Sequence, residues 1–433
     1  MKIIQITPGA GAGFYCENCL RDAALARELR RRGHDVLMVP LYLPSIGEDA
    51  ESDTPLFFGG INVYLQQKSA LFRHTPRWLD RLLDARPLLR WAGRRAGMVR
   101  PDDLGPPTLS MLRGEEGRQV KELERLAVWL ADQGRVDVVC LSNALLAGLV
   151  HRIKEALGAP VVCTLQDEDA FLDGLTEPYR GQAWGLLAEL CTHIDAFFPV
   201  SRYYAGVMQA RLDLPAERVH VVHVGVETAL YAPAEAPPEP PVLGFLGQEG
   251  RASGLDLAVE AFLEIRRRGR VPGLRLRVAG GRLGADQPFI RALADRIADA
   301  GAAEAVEFLP IPSRHETPAL LASMSVLSVP VRTAPAYALY LLEANAAGVP
   351  AVEPRTGALA ELVEATSGGV LVEPENPAAL ADAIEGLLLD SARARALGRA
   401  GREGVLEHFT IERMADKVLA VIEEVRRRAG SAR

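Results

Sequence analysis

Long apolar runs are missing from this chain of 433 residues. No stretch of 18 residues is free of charge, which excludes a membrane-spanning helix. An excess of positive charge is missing too: 49 Lys and Arg stand against 56 Asp and Glu, a net charge of -7. That balance excludes a nucleic-acid partner held by general electrostatics. Cysteine is scarce. The five (Cys16, Cys19, Cys140, Cys163 and Cys191) are an odd number in a long chain, which predicts free thiols in a reducing cytoplasm. No secretory signal is expected either, because residues 1–6 run straight into Thr7-Pro8-Gly9 and are too short for its apolar core. What is present is the composition of a globular protein, 48% hydrophobic and 24% charged with 39 Gly and 29 Pro. At about 150–200 residues per domain, this length predicts two domains.

Short apolar runs alternate with helical patterns along the whole chain. The predicted strands of the first half are 2–6, 35–43, 136–141, 160–165, 196–200 and 219–224, with helices at 16–32, 144–157 and 177–193. The second half repeats the plan with strands at 242–246, 274–279, 305–309, 326–331, 349–352 and 369–372. Helices at 255–267, 288–300, 318–324, 337–347 and 377–389 separate them. Near-continuous apolar strands alternating with helices predict an α/β fold of two doubly wound, Rossmann-like domains with parallel sheets. The segment 232–241 has five prolines in ten residues and reads as a stiff linker between domains 1–231 and 242–410. A last helix, within 411–433, is long enough to cross back onto the first domain. In such pairs ligands bind at the carboxyl ends of the strands, which predicts a cleft between the domains.

One segment breaks the alternation. Residues 73–118 carry ten arginines against six carboxylates, with Trp78, Leu79, Leu82, Leu83, Leu88, Leu89 and Trp91 near helical spacing. This is an amphipathic helical insertion that caps its own domain. The alternative reading is a surface that touches an acceptor or a membrane.

Two motifs near the start carry chemistry. Gly9, Gly11 and Gly13 form a G-x-G-x-G loop between strand and helix, suited to holding a phosphate or a sugar hydroxyl on backbone amides. A nicotinamide or flavin cofactor is not expected, since the spacing differs from G-x-G-x-x-G and the second strand ends without an acid. Cys16 and Cys19 form a C-x-x-C at the helix start. Without a second such pair for zinc or a thioredoxin-type strand context, they read as packing thiols. The acids Asp167, Glu168, Asp169 and Asp173 follow a strand end, and no metal is expected there because acidic loops are usually solvated. His193 and Asp195 precede a buried strand and are explained by a local hydrogen bond, while His223, at the closing strand near the cleft, is a weaker site candidate.

The second half is more specific. It contains Gly244-Phe-Leu-Gly247, Ser253-Gly-Leu-Asp-Leu-Ala-Val-Glu-Ala-Phe262 and Leu274-Arg-Leu-Arg-Val-Ala-Gly280-Gly281, followed by Leu341-Leu-Glu-Ala-Asn-Ala-Ala-Gly-Val-Pro350 and Gly368-Gly-Val-Leu-Val-Glu-Pro374. With Gly33-His-Asp-Val36 and Pro199-Val-Ser201, these segments resemble the GT-B glycosyltransferases of family 4, the retaining group that uses nucleotide sugars. The resemblance spans nearly the whole chain. It implies transfer of a sugar from a nucleotide-linked donor, a co-substrate rather than a bound cofactor, to an acceptor that the motifs do not name. It also implies no required metal and fixes no oligomeric state.

The same resemblance implies a donor site on the second domain, built from Gly247, Gln248, Arg251, Ser253, Gly280, Arg332, the amides of Ala336, Tyr337, Ala338 and Leu339, and Glu343. Family members place an Arg where Gln248 stands and a Lys where Ser253 stands, both neutralising the leaving diphosphate. Arg251 and Arg332 are the substitutes at hand. In the family's E-x7-E motif the second Glu, on the nucleotide ribose, matches Glu343, while the first falls on Pro335. The family's Phe-Gly pair becomes Tyr337-Ala338, and its Asn-Gly-Val-Asp becomes Val224-Gly-Val-Glu227. A family His near the reacting sugar aligns with Gln166, which together with Asp167 is the candidate for the reacting centre. The alternative implied by these lost polar positions is a catalytically silent homologue that binds a ligand or a partner. A phosphorylase using the same cleft is a third class.

Overall fold

The computed structural model describes residues 1–9, 17–42, 57–58, 104–282 and 284–431. The chain divides into two compact units: Met1–Ala12, Asn18–His223 and Ala415–Arg433 form the first, Gly13–Glu17 and Val224–Met414 the second. Residues 232–241, the proline-rich segment, carry neither helix nor strand.

The first unit is built on β1 (Lys2–Thr7), α1 (Glu17–Arg31), β2 (Asp35–Pro40), α2 (Gly105–Leu112), α3 (Val120–Ala131), β3 (Val138–Leu141), α4 (Val150–Leu157), β4 (Val161–Leu165), α5 (Glu168–Asp173), α6 (Tyr179–Cys191), β5 (Ala196–Pro199) and α7 (Arg202–Leu212). Its five strands are all parallel in the order β2-β1-β3-β4-β5, with Ile3 opposite both Val36 and Val138. The strands are buried on both faces, as parallel sheets with crossover helices must be. Winding reverses between β1 and β3, so the crevice at their carboxyl ends is a switch point. Ser201 of the Pro199-Val-Ser201 motif is the cap of α7: its hydroxyl accepts the Tyr204 N–H at 3.0 Å.

The second unit contains β6 (Val242–Leu246), α8 (Leu255–Arg268), β7 (Arg275–Ala279), α9 (Gln287–Asp299), β8 (Val306–Leu309), α10 (Thr317–Ala322), β9 (Val326–Leu327), α11 (Leu339–Ala346), β10 (Ala351–Pro354), α12 (Gly357–Thr366), β11 (Gly369–Val372), α13 (Pro377–Leu389) and α14 (Ser391–His408). Its six parallel strands run β11-β10-β9-β6-β7-β8, with the switch point between β6 and β9. Phe245 and Phe262 are fully buried in its core, each stabilising the fold by about 1.5–3 kcal/mol. The last helix, α15 (Ile411–Ser431), begins in the second unit, and its residues from Ala415 on belong to the first. There Arg426 pairs with Asp137 at 2.6 Å, and Asp416 with Arg32 at 2.5 Å.

The α/β class with two parallel sheets is borne out, with local corrections. The run 219–224 is not a strand. Val219 bridges Phe197, and the N–H groups of His220 and Val222 donate to Phe197 and Pro199, but Pro199 has no N–H to return to His220, so the ladder stops. The strand predicted at 326–331 ends at Leu327: the Val329 N–H is taken by the Glu353 side chain at 3.1 Å, and Pro330 has none. The helix predicted at 144–157 opens as a 3-10 turn, Ala144–Leu149, before α4. Helices α3, α5, α7, α12 and α14 were not expected. Of the arginine-rich insertion, 73–103 lies outside the described residues; 104–118 forms α2 and a short turn, with Leu109 and Leu112 buried. Among the described residues no helix is long and apolar enough to cross a membrane.

Candidate active site

At the carboxyl end of the first sheet, α1 brings a buried ion pair to the crevice. Arg21 and Asp22 are 3% and 1% exposed, with Nη1 and Oδ1 3.3 Å apart. Such burial is tolerated only where hydrogen bonds replace water. Arg21 donates to the Gln166 side-chain oxygen and to the Thr164 hydroxyl, each at 2.9 Å, and the Ser142 hydroxyl donates to Asp22 at 2.5 Å. Gln166 in turn donates its amide N–H to the Ser142 carbonyl at 2.7 Å. Burial pushes the Asp22 carboxyl up, opposed by Arg21 and Ser142.

These bonds place Gln166, the candidate for the reacting centre, in the network around Arg21. Both ends of its amide are bonded, the oxygen to Arg21 and the nitrogen to Ser142, and an amide has no titratable proton. Glu168 beside it accepts the N–H groups of Ala144 (2.9 Å) and Gln166 (2.7 Å) and the Tyr204 hydroxyl (2.8 Å). Burial pushes its carboxyl up to about 7 against those bonds. Asp167 lies between them, half-buried, in left-handed backbone at φ 59°. Asp173 is bonded to Arg211 and Trp184, and Asp195 accepts the Val161 N–H that starts β4. Gly9 has φ 84°, whereas Gly11, Gly13 and Cys16 lie outside the described residues. The thiols of Cys140 and Cys191 are pushed up to about 12 by burial, the behaviour of packing cysteines.

In the second unit the loops after β6 and β7 touch backbone to backbone. The Gly247 N–H donates to Ala279 at 3.0 Å, and a Cβ at Gly280 would stand 1.6 Å from the Gly247 carbonyl oxygen. Only glycine fits at 280. Gln248 donates to the Gly281 carbonyl at 2.8 Å and keeps its side-chain oxygen buried without a partner among the described residues. Glu249 is fully buried and pairs with Arg282 at 2.6 Å. At Gly254, which opens α8 with φ 72°, a Cβ would meet the Pro330 carbonyl at 1.9 Å.

The two candidate cations part ways. Arg332 is clamped on Asp256, in the first turn of α8, by two bonds of 2.7 and 2.9 Å, and also donates to the Arg251 carbonyl. Its charge is answered within the protein by Asp256. The Arg251 side chain is exposed and has no partner among the described residues; Ser253 beside it is half-buried.

Ala336, Tyr337, Ala338 and Leu339 are buried and lead into α11, whose N-cap Ala338 supplies no side-chain cap. Pro335 is occupied by packing: its carbonyl accepts the Ala358 N–H at 3.0 Å, and Gly357 lies against it. One turn into α11, Glu343 accepts the Tyr231 hydroxyl on Oε1 at 2.6 Å, while Oε2 is shielded from solvent and has no partner among the described residues. Burial pushes this carboxyl up to about 7, with Tyr231 lowering it and Glu227 raising it. Glu227 itself is held by Arg314 through two 2.8 Å bonds.

Arg21, Glu249, Tyr231 and Glu353 escaped the sequence reading. Arg21 and Tyr231 meet their partners 145 and 112 residues away, beyond any local pattern. Glu353 had a signal, an acid in an otherwise apolar strand.

Residues 228–404 match the family described as glycosyl transferases group 1, and residues 100–230 match glycosyltransferase family 4. A D-inositol 3-phosphate glycosyltransferase of Catenulispora acidiphila is 29% identical over 414 residues, 89% of this chain and 93% of the relative. A GDP-mannose-dependent phosphatidylinositol monomannoside mannosyltransferase of Mycobacterium tuberculosis is 31% identical over 220 residues, 47% of this chain and 55% of its own. Among solved structures, sucrose-phosphate synthase from Thermosynechococcus elongatus superposes with a TM-score of 0.71 at 17% identity, covering 98% of this chain and 99% of its own. Anabaena HepE in complex with UDP and glucose does so with a TM-score of 0.71 at 14% identity, covering 98% and 100%. At such identities the likeness speaks for the fold. Family matches, full-length relative and fold agree: the chain belongs to the group 1, family 4 glycosyltransferases and is a transferase of the GT-B fold.

Proposed function

We propose that this transferase takes a hexosyl group from a nucleoside-diphosphate sugar held on the second unit and passes it to the hydroxyl of a small acceptor in the cytoplasm. The observation that carries the reading is Glu343. A buried carboxylate oxygen without a partner costs free energy unless a ligand donor completes it, and ribose hydroxyls are such donors. Arg251, exposed beside the loop after β6, supplies the cation for the departing diphosphate in place of the family pair lost at Gln248 and Ser253. Both curated relatives have an inositol in their names, which makes inositol phosphates the first acceptors to assay.

The test is calorimetric titration of UDP and GDP against wild type and Glu343→Ala. The variant is expected to lose about 1–2 kcal/mol of affinity, the scale of a charge-assisted hydrogen bond. Unchanged affinity in a folded variant would remove Glu343 from the donor site. Transfer is then assayed with UDP-glucose and GDP-mannose as donors and D-inositol 3-phosphate as acceptor.

A further inference from the structure

We propose that Tyr231 is a positioning residue for the donor: its hydroxyl holds Oε1 of Glu343, favouring the carboxylate form that offers Oε2 to the ribose. This rests on the reading of Glu343 as a donor contact.

Tyr231 is built to be a fixed donor. It is 5% exposed and ends the 3-10 turn Thr228–Leu230. Its N–H bonds to Thr228 at 3.2 Å, and its carbonyl receives Arg402 at 3.0 Å. The segment before it is tied down as well: Val226 exchanges bonds with Phe409 and Ile411 at 2.8 and 2.9 Å, and Glu227 takes the Arg314 clamp. Burial and the nearby carboxylates push the Tyr231 hydroxyl far up, so it never loses its proton in the working range. When Glu343 is ionised, the 2.6 Å bond therefore runs from Tyr231 to Glu343.

At the start of α11 the Glu17 carboxylate accepts the Tyr340 N–H at 3.3 Å, and the remaining charged groups around the helix are answered by other partners. Arg314 is taken by Glu227, and Arg402 of α14 by the carbonyls of Tyr231 and Ala346. Glu353 of β10 accepts the Val329 N–H, and the Tyr340 hydroxyl stays neutral because burial pushes it up. Glu227 is the nearby negative charge that opposes ionisation of Glu343. Tyr231 is the group that favours it.

With the Glu343 carboxyl titrating near pH 7, donor affinity should rise with pH through that value, because ribose hydroxyls donate to the ionised form. Removing the Tyr231 hydroxyl moves the midpoint upward. The experiment titrates UDP-glucose and GDP-mannose, whose diphosphate diesters do not themselves titrate between pH 6 and pH 9, into the full chain across that range. Wild type should bind about tenfold more tightly at pH 8 than at pH 6. Tyr231→Phe should bind about fivefold more weakly at pH 7 yet match wild type within about twofold at pH 9. Glu343→Gln should flatten the profile, and adding Tyr231→Phe to it should change nothing beyond about twofold.

A Tyr231→Phe profile that keeps the wild-type midpoint, or a uniform loss at every pH, overturns the positioning role while leaving Glu343 in the donor site. A Glu343→Gln variant that binds like wild type, or a wild type that binds neither donor, overturns the donor-site reading itself and the positioning role with it. If the Phe variant melts early, the WT and Glu343→Gln profiles still decide: a wild-type affinity flat from pH 6 to pH 8 overturns the proposal.

Discussion

A carboxyl oxygen of Glu353 accepts the backbone N–H of Val329 at 3.1 Å, so a side chain stands where the next rung of the β9–β10 ladder would be. Glu353 is fully buried, and its other oxygen has no partner among the described residues. Burial raises this carboxyl well above its ordinary range, so the native protein keeps a proton that the unfolded chain gives up near pH 4.5. The carboxyl therefore costs stability as pH rises beyond that point. Glutamine keeps the acceptor for Val329 and does not titrate. Glu353→Gln should gain on wild type with a slope approaching about 1.4 kcal/mol per pH unit above pH 5. Urea unfolding at pH 4, 6 and 8 checks this, and a constant difference would mean that Glu353 is ionised in the fold.

The Arg21–Asp22 pair should be far more sensitive to losing one partner than both. Arg21→Met leaves Asp22 buried without its cation, and breaking such a pair costs about 3–5 kcal/mol. Adding Asp22→Asn, which keeps a polar partner for Ser142 and removes the charge, should recover a large part of that loss. Denaturant unfolding of the two single variants and the double variant measures the coupling. Additive losses would show that the pair is not a unit.

Arg251 and Arg332 should separate in binding and stability. Arg251→Ala is expected to weaken nucleoside diphosphate binding by about 1–2 kcal/mol with an unchanged melting temperature. Arg332→Ala breaks the bidentate contact with Asp256 and should destabilise the fold by about 1 kcal/mol, with affinity changed by no more than about twofold. Calorimetry beside thermal melts compares them. The reverse pattern would return the cationic role to Arg332.

Gly280→Ala should disrupt the second unit more than Gly185→Ala. A methyl at 280 would overlap the Gly247 carbonyl at 1.6 Å, whereas at 185, inside α6, it meets open space. The helix variant should be neutral or stabilising by up to about 1 kcal/mol, and the loop variant destabilising by several times that. Their unfolding midpoints give the answer directly.

What the sequence by itself determined was the local physics. Apolar runs such as 242–246 could only be doubly buried parallel strands, and five prolines in ten residues could only be irregular backbone. Gly280 and Glu343 were singled out only through the resemblance to family 4, and the close approaches at Gly280 and Gly254 became visible only in the fold. Where a run met a partner without an N–H, as 219–224 met Pro199, the reading failed, since hydrogen-bonding capacity across a sheet belongs to the neighbour. Only the tertiary structure decided which charges remain open to a ligand. Arg332 was spent on Asp256, Gln166 on Arg21 and Ser142, and one oxygen of Glu343 on Tyr231. Pairing energies depend on distance and burial, and both are set by residues tens to hundreds of positions apart, so no local pattern along the chain encodes them.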